Sequence, residues 1–319
     1  MVLESLLSSK SAKKHPVTLF FMAFIVATIG MLIAYNSFPG SSSVLAIAFV
    51  AVAFMPIMHT LFRDEEEQEI DESNVPFAFI STHFEVIHIY SWIFLGLIVA
   101  SAFWYVALPE SNDDCSGFGC LLPEKGKVFA EQKRTYTGIT GKIVGESECF
   151  NTDTKSFSNC FMLIFTNNTG VMILAIIFSF IWGAGAIFLL GWNASVVGFF
   201  IGSEVTAKSL ESGLARAISY LPHGAPEILA YFLAAIIGGI ISATISKQKF
   251  RPHELRIIFV DTILLTLLAI ITLFIGAFIE TAEIFGYLDF ALLGLIALAV
   301  LYMVLYIPNI RYHINKVRN

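Results

Sequence analysis

Long apolar runs separated by short polar links fill most of the chain. Crossing the hydrocarbon core of a bilayer, about 30 Å thick, takes a helix of roughly 20 apolar residues. The runs that approach this length cover residues 17–35, 44–62, 86–108, 170–190, 192–207, 228–245, 257–279 and 287–307. They predict an all-α polytopic membrane protein, a bundle of about eight transmembrane helices with six as the lower bound.

Basic residues predict how these helices are oriented. They cluster before the first run (Lys10, Lys13, Lys14), between the sixth and seventh (Lys247, Lys249, Arg251, Arg256) and after the last (Arg311, Lys316, Arg318). Because basic loops face the cytoplasm, we expect a cell-membrane protein with both termini in the cytoplasm. This orientation requires the short run 192–207 to cross the membrane, since a re-entrant segment there would place the loop 247–256 outside.

The spans divide the chain into three regions. Residues 1–107 hold three spans and an acidic cytoplasmic loop at 63–76, which is expected to be a polar loop or a short helix. Residues 108–166 form an extracytoplasmic loop with an amphipathic helix near 127–134, and residues 167–319 form a membrane core with five spans.

All four cysteines lie in the loop 108–166: Cys115, Cys120, Cys149 and Cys160. Their position outside every predicted span favours an oxidising compartment and two disulfides that staple a small loop region. Three pairings are open, and sequence proximity favours Cys115–Cys120 and Cys149–Cys160. A zinc site of four thiolates is the alternative, although no C-x-x-C spacing is present.

Small residues recur every four positions in three consecutive apolar runs. They are Ala175, Ser179 and Gly183 in the first run, Ala194, Gly198 and Gly202 in the second, and Ala230, Ala234 and Gly238 in the third. Residues four apart share a helix face. In lipid, helices associate largely through the close backbone approach that small residues allow, so we expect these helices to pack as one tight unit.

Polar groups interrupt the same region and form the candidate functional cluster: Asn167, Asn168, Asn193, His223 and Glu227. His223 and Glu227 are four residues apart and share a helix face. A carboxylate inside a membrane needs a partner; His223 is the nearest, and Asn168 or Asn193 are further hydrogen-bond donors. The group is either a polar clasp that fixes helix packing or a pair that handles protons or substrate.

Local signals also predict helix boundaries around this cluster. Asn168 is expected to cap the helix that follows it, and Asn193 to donate a hydrogen bond between helices. Residues 208–221 are expected to form a separate amphipathic helix at the outer interface, and Pro222 to lie in the first turn of the next helix.

Three stretches in this region resemble the stage II sporulation protein M family of polytopic membrane proteins: the paired Asn167-Asn168 before a span, GAGAIFLLGWNASVVGFFIG, and PHGAPEILAYFLAAIIGG. The flanking RDEEEQE, the His-containing start of the next span and VFAEQ are similar to the archaeal branch of that family. In spore formers the resemblance implies a membrane anchor that assembles cell-wall hydrolases during engulfment. It implies a fold family and no particular reaction.

Composition narrows the class of function. Hydrophobic residues make up 56% of the chain, charged residues 14%, and the mean hydropathy is +0.76, which excludes an ordinary soluble domain. The formal net charge of −6 provides no basic footprint for nucleic acid. The sequence holds no nucleophile–base motif, phosphate loop or metalloprotease motif, so we assign no catalytic residue, metal ligand or cofactor.

Three functions remain open from the sequence. The first is a non-catalytic membrane organiser that assembles partner proteins in or outside the lipid bilayer, alone or as a homo-oligomer. The second is a transporter or channel that uses the polar groups of the helix carrying His223 and Glu227. The third is a membrane-embedded enzyme with the same two residues as general base or metal ligands, for which two ligands on one face are too few to hold zinc.

The orientation can be tested with reporter fusions. A reporter at Gln248 and one at the C-terminus should both read cytoplasmic, because both follow basic clusters. A Gln248 fusion that reads extracytoplasmic would mean that the run 192–207 re-enters the membrane without crossing it.

Overall fold

The structure is a computed structural model that describes residues 15–71, 78–110, 122–141, 149, 156–183, 185–246 and 252–318. In these ranges the chain is helical, with short turns and no strands. The helices are α1 (Val17–Ser37), α2 (Ser42–Asp71), α3 (Ala78–Ala107), α4 (Lys125–Val128), α5 (Ala130–Gly141), α6 (Phe157–Trp182), α7 (Ala186–Ala207), α8 (Leu210–Ser246), α9 (Pro252–Ile284) and α10 (Leu288–Arg318). A 3-10 turn at Pro39–Ser41 joins α1 to α2.

Seven helices among the described residues are long and apolar enough to cross a membrane, namely α1, α2, α3, α6, α7, α8 and α9. A shorter apolar stretch, Leu288–Val304, lies in α10. The prediction of an all-α polytopic membrane protein with six to eight spans is therefore confirmed. The run 192–207 belongs to α7, which starts at Ala186 and whose 22 residues are long enough to span the bilayer.

The boundary between α6 and α7 differs from the prediction. α6 ends at Trp182, and Gly183 has a φ of +66°, a backbone conformation that favours glycine because it has no Cβ. Gly183 therefore ends α6 instead of lying on a packed helix face. α6 also begins early, at Phe157, so Asn168 lies inside the helix and the prediction that it caps a helix is wrong.

α8 is one helix of 37 residues, although two helices were predicted in its place. It runs from Leu210 to Ser246 with Pro222 and Pro226 inside it. Proline removes a backbone donor from a helix interior, but a membrane bundle tolerates it where neighbouring helices and local adjustments compensate. The first part of the acidic run 63–76 is also helical, because α2 continues without a break to Asp71.

The loop region docks on one end of the bundle, which we call the loop end. There the hydroxyls of Ser42 and Ser43 donate to the carbonyl of Lys127 over 3.1 and 3.2 Å. The buried Gln132 donates through Nε2 to Ser195 Oγ over 3.2 Å. These bonds fix α4 and α5 to α2 and α7. The amphipathic helix expected near 127–134 is part of these two helices, and α5 continues to Gly141.

One predicted disulfide lies within the described residues. Cys149 and Cys160 are bonded, which ties the loop to the first turn of α6. The predicted Cys115–Cys120 pair lies outside the described residues.

The small residues bring pairs of helices into backbone contact. A Cβ at Gly238 of α8 would lie 2.3 Å from the carbonyl oxygen of Ile176 and 2.6 Å from Ser179 Cβ, both on α6. A Cβ at Gly198 of α7 would lie 2.5 Å from the carbonyl oxygen of Ile98 on α3. The glycines of the second small-residue run thus contact α3, whereas Gly238 of the third run contacts α6. The tightly packed unit therefore includes α3, a helix that the small-residue pattern did not indicate.

The contact at Gly238 can be tested by adding one methyl group. Gly238→Ala should lower the free energy of unfolding by about 1–3 kcal/mol, because the backbone of α6 has to move away. Gly170→Ala is the matched control, since a Cβ at Gly170 of α6 meets nothing within 4 Å and alanine favours helix by up to about 1 kcal/mol. Thermal unfolding in detergent measures both; equal stabilities would contradict this packing.

Candidate functional site

Helices α8 and α9 pack closely, and each contributes two ionisable side chains to their contact. His223 and Glu227 are one turn apart on α8, and Glu280 and Glu283 are one turn apart on α9. Gly276 of α9 allows the approach, because a Cβ there would lie only 3.2 Å from Glu227 Cγ. The four side chains form two pairs that bridge the helices, an outer pair nearer the start of α8 and an inner pair one turn further along.

The outer pair is His223 with Glu283. His223 Nδ1 lies 2.6 Å from Glu283 Oε2, and the two side chains are 14% and 25% exposed. The ring of Tyr220 packs against the imidazole with 5.5 Å between ring centroids. This pair is a charge-assisted hydrogen bond when the imidazole is protonated.

The inner pair is Glu227 with Glu280. Their carboxyl groups lie within hydrogen-bonding reach of each other. Asn168 of α6 donates through Nδ2 to Glu227 Oε1, and Asn167 donates to Asn168 Oδ1 over 3.2 Å. An ionised carboxylate only accepts hydrogen bonds, so two carboxyl groups can bond to each other only when one of them carries a proton.

The structure brings together four of the five residues in the predicted cluster: Asn167, Asn168, His223 and Glu227. The fifth, Asn193, donates to the carbonyl of Leu189 in its own helix over 2.8 Å, so the bond expected between helices is not the one that forms. His223 was the expected partner of Glu227, yet each of the two residues pairs with α9. Side chains four apart on one helix lie side by side, so both reach across to the neighbouring helix.

The acids of α9 are the residues that sequence reasoning missed. Acids at the end of a membrane span are usually hydrated, but Glu280 is only partly exposed and faces Glu227. The signal was present as two polar positions one turn apart in each of two spans. The sequence gives no register between those spans, so the match could not be recognised.

The comparisons with known proteins bear on the family. The family model described as stage II sporulation protein M matches residues 17–282. The chain belongs to this family. The match includes α6, α8 and the part of α9 that carries Glu280, so most of the site lies inside the family region. It does not support the assignment to an archaeal branch. No curated protein and no solved structure gives a significant match.

The site can be tested through the amide that supports the inner pair. Asn168→Ala should lower the free energy of unfolding by about 1–3 kcal/mol, because Glu227 loses its donor in surroundings where a lost bond is costly. Asn167→Ala is the matched control, since Asn167 is exposed and does not contact Glu227 directly. Thermal unfolding of the purified variants measures the difference, and equal losses would contradict this role of Asn168.

Proposed function

We propose that this multi-pass membrane protein is a transporter that moves protons by way of the Glu227–Glu280 pair. The observation that carries the proposal is the close approach of α8 and α9 at Gly276, which brings the carboxyl groups of Glu227 and Glu280 together inside membrane-spanning helices. Ionisable groups in such helices are rare, and they mark ion and proton pathways.

A carboxyl pair is poorly suited to a static clasp. If an amide or hydroxyl side chain replaced one glutamate, it would donate a hydrogen bond to the carboxylate of the other glutamate, and neither group would have to bind a proton. Two carboxylates repel, whereas a pair with one shared proton attracts. Proton binding therefore decides whether the facing surfaces of α8 and α9 attract or repel each other at this point.

The surrounding geometry links that change to helix packing. Gly276 holds α9 against Glu227 and Pro226, so even a small separation of the carboxyl groups has to move the backbone. Pro226 and Pro222 lie in this segment of α8, and proline removes the hydrogen bonds that would otherwise stiffen it. Alternating access requires a segment that can pack in two arrangements. In this segment of α8, the bound proton selects between them.

The proposal can be tested with conservative glutamine variants. Glu227→Gln and Glu280→Gln should each stay folded, because the amide can still hydrogen bond, yet each should lower proton flux into liposomes by roughly tenfold or more. The measurement uses a trapped pH indicator and an imposed potential. In infrared difference spectra on raising pH, both variants should lose a carboxyl band that the unmodified protein shows.

Glu211→Gln is the matched control, since Glu211 is an exposed acid in the first turn of the same helix. It should keep the flux and the spectrum of the unmodified protein. Folded Glu227→Gln and Glu280→Gln variants with unchanged flux and unchanged carboxyl bands would overturn the proposal.

A non-catalytic organiser of partner proteins is the second candidate. It is favoured by the match to the stage II sporulation protein M family, because the resemblance implies a membrane anchor that assembles other proteins. An organiser needs no titrating pair. If this candidate is correct, cells that carry Glu227→Gln or Glu280→Gln should have the phenotype of cells with the unmodified protein. The same variants therefore distinguish the two functions.

A further inference from the structure

The first turns of α8 lie at the membrane boundary on the loop end. α8 is about 55 Å long and exceeds the hydrocarbon core of about 30 Å. Asn168 bonds to Glu227, and Ile176 touches Gly238, so α6 and α8 run side by side in the same direction. The first residue of α6, Phe157, therefore lies level with about Arg216–Ser219 of α8, and the turns before this level extend past the start of α6.

The end of α7 lies at the same level. Gly202 packs against Tyr105, near the end of α3, with 2.8 Å between its added Cβ and the Tyr105 Cβ. Gly213 of α8 packs in turn against Val205 of α7. Three helices thus place the junction of α7 and α8 where lipid headgroups lie.

A groove opens at this junction, with a volume of about 400 Å³. Its lining is polar except for one alanine: Glu204, Lys208, Ser212, Ala215, Arg216 and Ser219. Lys208 Nζ lies 2.6 Å from Glu204 Oε1, and the Arg216 guanidinium lies 5.0 Å from the centre of the Phe200 ring. Two cations face one carboxylate, so the groove carries a net positive charge and suits an anion.

The opposite face of this part of α8 is apolar and exposed. Leu210, Leu214, Ile218 and Leu221 form one stripe at helical spacing, and each is 55–66% exposed. A helix with a basic polar face and an apolar stripe lies in the interface of a bilayer. The stripe holds this part of α8 in the interface, and the groove on its other face then lies at the level of the lipid headgroups.

We propose that the groove between α7 and α8 binds the phosphate headgroup of an anionic phospholipid. Arg216 donates to the phosphate oxygens through its planar guanidinium, and Lys208 supplies a second positive charge. The site is separate from the Glu227–Glu280 pair, and the proposal does not depend on the transport function.

Native mass spectrometry of the delipidated full-length protein in detergent tests the site with added phosphatidylglycerol. The double variant Lys208→Gln/Arg216→Gln should weaken binding of the first phosphatidylglycerol molecule at least tenfold. The matched control is Lys133→Gln/Arg134→Gln, which removes an exposed lysine and arginine from α5 and should bind as the unmodified protein does. Circular dichroism establishes that both variants are folded.

Two further arms identify the source of the phosphate. Inorganic phosphate should not displace the lipid at equal concentration, because it has no acyl chains to bury in the apolar surroundings of the protein–detergent complex. The double variant Leu214→Gln/Ile218→Gln, which keeps both cations, should also weaken lipid binding. Displacement by inorganic phosphate would show a site for free phosphate, and lipid binding that survives in the Lys208→Gln/Arg216→Gln variant would place lipid elsewhere; either result overturns the proposal.

Discussion

Close backbone contact between α8 and its neighbours is the constraint on which the rest of this structure depends. Gly238 brings α8 against α6, and Gly276 brings α9 against α8. Apolar surface cannot drive these contacts in lipid, because acyl chains are as apolar as the side chains. The glycines permit an approach that dispersion forces and interhelical hydrogen bonds then stabilise, and these bonds can form only at such short separations.

The polar groups follow from that approach. Asn168, Glu227 and Glu280 come from three different helices and meet because α8 lies between α6 and α9. The outer pair of His223 and Glu283 repeats the arrangement one turn nearer the loop end. Under the proposed function, a change in charge at the inner pair would act directly on this packed backbone. Looser helices would let the side chains swing apart into water or towards the headgroups.

Two parts of α8 therefore serve different physical roles. The segment from Pro222 onward is packed on several sides and carries the polar pairs. The segment before it has an apolar stripe on one side and a basic groove on the other. Pro222 and Pro226 lie where the two segments meet, and each removes a backbone donor that would otherwise stiffen the helix.

Much of this protein was determined by the sequence alone. Runs of about 20 apolar residues have few alternatives to a spanning helix, because backbone groups must be satisfied within the segment. The polytopic class and the span count of six to eight were predicted for this reason. The Cys149–Cys160 bond was predicted from sequence proximity. His223, Glu227 and Asn168 were singled out because polar groups inside such runs are costly without partners.

Tertiary structure decided which groups became those partners. The sequence places Glu227 one turn from His223, yet the structure pairs Glu227 with Glu280 and His223 with Glu283. Register between helices depends on where glycines allow contact, and no local pattern encodes it. The same holds for α8 itself, since Pro222 predicts a helix start and only packing in the bundle keeps the helix continuous through it. Local signals determine which segments are helical and which residues need partners, whereas the packing of distant helices determines where each helix ends and which partners meet.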